Sequence, residues 1–134
     1  MKIFLAAPLF NNAERGFNSE ITRVLREKGF EVWFAQEAPF SKATPRNKKR
    51  VYENIISELK ASDVVVAVLD GMEVDAGVAY EVGYAKALGK SVVGLKTDIR
   101  TFSKSQEVNL MLEGSLSRIC KSVDELIDLL SRIW

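Results

Sequence analysis

The sequence predicts an α/β fold: a three-layer sandwich whose five-stranded parallel sheet runs in the order 2-1-3-4-5, flavodoxin-like in outline. Three observations carry the prediction. Short apolar runs alternate with stretches of helical periodicity along the whole chain. The run at 64–69, VVVAVL, is almost entirely β-branched, which marks a central parallel strand covered on both faces. Gly29 and Gly89 each stop a helix shortly before an apolar run resumes. Right-handed crossovers follow, and the switch point of the sheet falls between strands one and three. Residues 1–134 are read as a single domain with one core.

Residues 2–7 form strand one, closed by Pro8, and the small Ala6 and Ala7 let a ligand approach the backbone. The first crevice loop, 8–12, has no glycine-rich phosphate cradle, which counts against dinucleotide, flavodoxin-type and P-loop binding. Phe10 in this loop either stacks on a nucleobase or anchors the loop on the core. Helix one starts at Asn12 or Ala13 and runs to 28, with Phe17, Ile21, Val24 and Leu25 on its apolar stripe. Strand two is 31–35. The polar loop 36–45 carries two prolines and is long enough for a lid or specificity loop. Gln36 at its start could bond a base edge or stand solvated.

The basic cluster 46–50 opens helix two, against the helix dipole; it either attracts a phosphate or is a solvated helix start. Val51, Ile55, Ile56 and Leu59 stripe this helix as far as 61. Strand three, 63–69, stops at Asp70-Gly71. Asp75 then occupies an N-cap position, and helix three runs 76–88, with Val78, Val82, Ala85 and Leu88 facing the sheet. Strand four is 91–95. A loop with a short helix covers 101–114, and strand five is 117–120. Ser122 caps the last helix, 124–133, and Glu125 completes a capping box.

Composition excludes several chemistries. The chain has no histidine, so a Ser-His-Asp or Cys-His mechanism is impossible, and the commonest transition-metal ligand is missing. Acid–base or covalent work falls to carboxylates, Tyr, Lys or Ser; glycosyl transfer is a reaction in which a carboxylate is the natural nucleophile. The single Cys120 forms no intramolecular disulfide and reads as a buried thiol. A net charge of +1 gives no long-range attraction to nucleic acid or membrane. No apolar run approaches a bilayer span and no signal peptide is read, so a cytoplasmic location is expected. No cofactor and no metal are expected.

Against this background Glu81 stands out. It lies on the flank of the helix-three stripe, two turns in. Helical side chains lean toward the N-terminus, so it leans over Gly77, whose missing side chain leaves space before the carboxylate. The start of a helix after a parallel strand faces the crevice where open α/β sheets bind ligands, and Asp75 stands at its mouth. The plain alternative is that Asp75 is only a cap and Glu81 only a solvated charge.

The pattern Asp75-Ala-Gly77-Val-Ala-Tyr80-Glu81-Val-Gly83-Tyr84-Ala85 resembles the signature of the nucleoside 2-deoxyribosyltransferase family. The resemblance extends back through SDVVVAVLDG and forward through GKSVVGLKTDIR, and takes in KIFLAAPLF and Asn109-Leu110-Met111. It implies an enzyme acting on nucleosides and nucleobases. Glu81 would be the nucleophile on the anomeric carbon and Asp75 the group that bonds the base or its proton, with Ala7, Phe10 and Gly77 around the substrate. Asp98 and Arg100 are either a surface ion pair or groups shaping the sugar end of the crevice. Asn109 would reach the sugar 5′-hydroxyl in a neighbouring subunit, which implies a homodimer or higher even homo-oligomer. Tyr80 and Tyr84 flank Glu81; either hydroxyl could bond it, though both read as core packing. Where the family carries an aspartate that handles the base, this chain has Asn54 and Ile55.

The expected activity is 2-deoxyribosyl transfer between bases through a covalent Glu81 intermediate. The alternatives are hydrolysis of a 2′-deoxynucleoside 5′-monophosphate by the same glutamate, and a nucleotide-sensing module without turnover. Asp75 argues against the hydrolase, because a carboxylate repels phosphate; Arg100 and the 46–50 cluster argue modestly for it.

Overall fold

The computed structural model describes residues 1–39 and 42–133. Phe40 and Ser41, within the 36–45 loop read above as a lid, lie outside the described residues, as does Trp134. In chain order the elements are β1 (Lys2–Ala6), α1 (Asn12–Glu27), β2 (Glu31–Phe34), a 3₁₀ turn (Ala35–Glu37), α2 (Lys48–Ala61), β3 (Val64–Val68), α3 (Ala76–Ala87), β4 (Ser91–Leu95), α4 (Leu110–Glu113), β5 (Arg118–Cys120) and α5 (Val123–Ile133). The five strands are parallel in the order β2-β1-β3-β4-β5, as the sequence predicts.

Strand periodicity sorts the core into two halves. Val64, Val66 and Val68 of β3 pack with Ile21 and Leu25 of α1 and Leu126 and Leu130 of α5. Val65, Ala67 and Leu69 turn to the other face and meet Leu59 of α2, Val78, Val82 and Ala85 of α3, and Leu112 of α4. Every residue of β3 is buried, which explains the unbroken apolar run. Cys120 is buried in the first half, and its burial pushes the thiol pKa up.

Helix termini show where local rules hold and where they shift. Asn11 caps α1 through a 2.8 Å bond from the Glu14 amide. At α5 the Ser122 hydroxyl accepts from the Glu125 amide, but the Glu125 carboxylate takes the Lys121 amide rather than the one at 122, so the expected capping box is displaced by one residue. At α2 the flanking Asn47 does not cap; its side chain closes the preceding turn by bonding the Thr44 amide and the Lys42 carbonyl. Leu88 is corrected: it lies one residue past α3, 45% exposed, and does not face the sheet. Among the described residues no helix is long and apolar enough to cross a membrane.

Candidate active site

The order β2-β1-β3 places the switch point between β1 and β3, and the loops leaving those strands wall a crevice. A cavity of about 230 Å³ lies there. The loop after β1 contributes Ala7 and Phe10, and the start of α3 contributes Asp75, Gly77 and Glu81. Val51, Asn54 and Ile55 line it from α2, at the i, i+3, i+4 spacing that puts three side chains on one helix face. Ala35 and Ala38 close the side next to β2. Phe10 is 72% exposed, so its ring stands at the mouth and is no core anchor.

Asp75 is the N-cap of α3: its Oδ2 accepts the Val78 amide at 3.1 Å. A Cβ on Gly77 would come within 3.1 Å of that same oxygen. The missing side chain of Gly77 therefore makes room for the Asp75 carboxylate in the same cavity that Gly77 and Glu81 line. Glu81 itself makes no hydrogen bond or ion pair among the described residues. Its pKa is pushed up to about 8 from 4.5, first by burial and then by the negative charge of Asp75. Two carboxyl groups thus share one small, largely apolar hollow, and one of them holds its proton near neutral pH.

Four of the nine residues singled out from sequence lie elsewhere. The Gln36 amide turns to α1, donating to the Arg15 carbonyl and the Ser19 hydroxyl, both at 3.2 Å. Asp98 is held by the buried Lys96, by Arg100 and by the Gly71 amide. Arg100 and Asn109 line a larger hollow of about 570 Å³ on the other flank of α3, beside Ala79 and Gly83. The larger hollow does not include Glu81. The Asn109 side chain caps α4 by accepting the Met111 amide at 2.9 Å. Neither tyrosine hydroxyl bonds Glu81: that of Tyr80 pairs with Tyr52 at 2.7 Å, and Tyr80 is half exposed rather than packed in the core. Asn54 is the lining residue that single-sequence periodicity does not pick out. It has no hydrogen-bond partner among the described residues, and its signals are its place one turn after Val51 and the family resemblance, which puts an aspartate near this position. Among the described residues there is no cluster of three or more His, Cys, Asp or Glu that could hold a metal ion.

The fold and site define an open α/β domain with a carboxylate pair in its switch-point crevice. The chain belongs to the nucleoside 2-deoxyribosyltransferase family, whose model matches residues 3–114. It is therefore one of a family of enzymes acting on nucleosides, as a 2-deoxyribosyltransferase or a related N-glycosidase. A conserved protein from Enterococcus faecalis V583 is 27% identical, with 100% of this chain and 99% of that one covered and a TM-score of 0.83. A 2-deoxyribosyltransferase from Bacillus psychrosaccharolyticus is 25% identical over 96% of this chain and 91% of its own, also at a TM-score of 0.83. The CMP N-glycosidase BcmB of Clostridium botulinum, 20% identical over 100% of both chains, shares the fold at a TM-score of 0.62. Curated protein sequences give no match.

Proposed function

We propose that this protein is a nucleoside 2-deoxyribosyltransferase in which Glu81 is the nucleophile. The observation that carries the reading is the Glu81 carboxylate, which lines the switch-point cavity without a bridge to any described cation or donor. A glutamate kept for structure is normally paired; a nucleophile has to be free. In the first half-reaction the C1′–N bond breaks and a C1′–Oε bond to Glu81 forms, through an oxocarbenium-like transition state. The base leaves with the electron pair and gains a proton. In the second half-reaction the nitrogen of another base attacks C1′, loses a proton, and releases the carboxylate. The configuration at C1′ is retained overall.

The proton has few routes. Asn54 is a neutral amide and cannot supply one, although it can both donate to and accept from a base edge. Asp75 is the other carboxyl in the cavity, and capping engages one of its oxygens. Glu81 must shed a proton to become nucleophilic at the moment the base needs one, and Asp75 stands between the two tasks. Phe10 at the mouth covers the face of the base.

Hydrolysis of a deoxynucleotide by the same glutamate is the second reading. The fold likeness to an enzyme named as an N-glycosidase keeps it in view, and Asp75 inside the cavity opposes a substrate phosphate. Sensing without turnover is disfavoured by the unpaired Glu81. The test is incubation with deoxynucleosides and deoxynucleotides, with and without an acceptor base. Base exchange that requires the acceptor is expected. Free deoxyribose phosphate would instead establish the hydrolase. Glu81→Ala should lower turnover by roughly a thousand-fold or more while the circular dichroism stays that of the folded protein.

A further inference from the structure

We propose that the Lys96–Asp98 pair is a positioning device that sets the start of α3, and with it Asp75 and Glu81, through the backbone of Gly71. The proposal rests on the reading of Glu81 as nucleophile. Lys96 is only 4% exposed, and a buried ammonium is tolerated only where its donors are satisfied. Its Nζ donates to the Asp98 carbonyl at 2.9 Å, to Asp98 Oδ1 at 3.2 Å, and to the Arg100 carbonyl. The loop after β4 is thereby wound around one buried charge. Asp98 Oδ2 faces the other way and accepts the Gly71 amide at 2.7 Å and Arg100 Nη2 at 2.8 Å.

The grip is mutual. Asp70, at the end of β3, accepts the Thr97 amide at 2.7 Å, the Thr97 hydroxyl at 2.6 Å and the Asp98 amide at 3.0 Å. Each loop's aspartate thus holds the other loop's backbone. Gly71 presents its amide with φ at +130°, a conformation that L side chains rarely adopt, and a Cβ there would sit 3.0 Å from the Glu73 carbonyl. Asp75 follows four residues later and begins α3. Burial works against the Asp98 carboxylate, but the bonds from Gly71, Arg100 and Lys96 outweigh it and hold the group well below the usual carboxylate range. Neither Lys96 nor Asp98 lines the cavity that holds Glu81, so the pair acts on that site through the loop.

Asp98→Asn keeps the shape and puts an N–H donor where two or more donors converge. The expected result is a fall in kcat for base exchange of about 10- to 100-fold, with KM within about 3-fold, since small misplacements at a reacting centre cost rate. The ascending limb of kcat/KM against pH should also move, because both the burial of Glu81 and its distance from the Asp75 charge, which together raise its pKa, depend on the start of α3. Thr97→Val removes one exposed hydroxyl bond from the same interlock and should give a smaller change in the same direction. A lowered melting temperature with kcat and the pH limb unchanged, in Asp98→Asn or, if that variant does not fold, in Thr97→Val, would overturn the proposal. So would a KM raised more than about 10-fold at constant kcat, which would place Asp98 on the substrate. Amide exchange reads the interlock independently of chemistry: Gly71 and Val78 should exchange faster in Asp98→Asn, and unchanged protection there would refute it. Survival of activity in Glu81→Ala would instead refute the nucleophile assignment and leave the exchange result standing.

Discussion

Glu81 carries an electrostatic cost that the proposed nucleophilic role would explain. Burial beside Asp75 raises its pKa from 4.5 to about 8, so the folded state binds a proton that the unfolded chain releases between those two values. Stability from this group is fully present below pH 4.5, falls as pH rises, and is lost once pH passes 8. Glu81→Gln imitates the protonated form. The variant should match the parent protein in a denaturant melt near pH 4.5 and exceed it near pH 9, by up to about 5 kcal/mol. A constant difference across pH would mean that the carboxyl is not desolvated. Activity should run the opposite way: kcat/KM for the parent protein is expected to climb between pH 6 and 8 as the nucleophile ionises, until the need to protonate the leaving base turns it down. Stability and turnover at this residue therefore have opposite pH slopes.

At the level of elements, α3 explains why the site was legible and its limits were not. The N-cap Asp75, Gly77 and Glu81 sit at fixed positions of one helix, and a helix of known start places its side chains by geometry alone. The alternation of strands and helices likewise determines the sheet order, because parallel crossovers leave few topologies. Asp98, Arg100 and Gln36 sit in or beside loops, where the partner of a polar side chain depends on segments distant in sequence. Gln36 turned to α1 and Asp98 to Gly71, contacts across 21 and 27 residues that no local pattern encodes. Leu88 was misread because apolar spacing continues for one position after the helix has ended. The β4 strand gives a test of packing at this scale. A Cβ on Gly94 would lie 2.7 Å from Leu69 Cδ1 and 3.1 Å from Leu116 Cδ1. Gly94→Ala should destabilise the fold by roughly 1–3 kcal/mol in urea melts, since the fully buried Leu69 must move within a filled layer and the partly buried Leu116 with it.

At the level of the whole molecule, the two hollows on either flank of α3 raise a problem that one copy of the chain does not solve. Asn109 resembles the family residue expected at the sugar, yet it lines the hollow beside Ala79 and Gly83, while Glu81 lines the other. The rim of that larger hollow is apolar and exposed, with Met72 at 83% and Met111 at 77%. An apolar rim of this kind suits contact with another protein surface. If Asn109 acts on the sugar, it acts in the site of a second copy, and each site is then shared between chains. Mixing makes this measurable. Asn109→Ala and Glu81→Gln should each be inactive as pure preparations. Co-refolded as a two-fold dimer, a mixed pair contains one site built from the intact Glu81 of one chain and the intact Asn109 of the other. About half of random pairs are mixed and half of their sites are whole, so roughly a quarter of the parent activity should return. Restoration at that level requires sites shared between two chains, whereas no restoration, with both variants folded, would confine each site to a single chain.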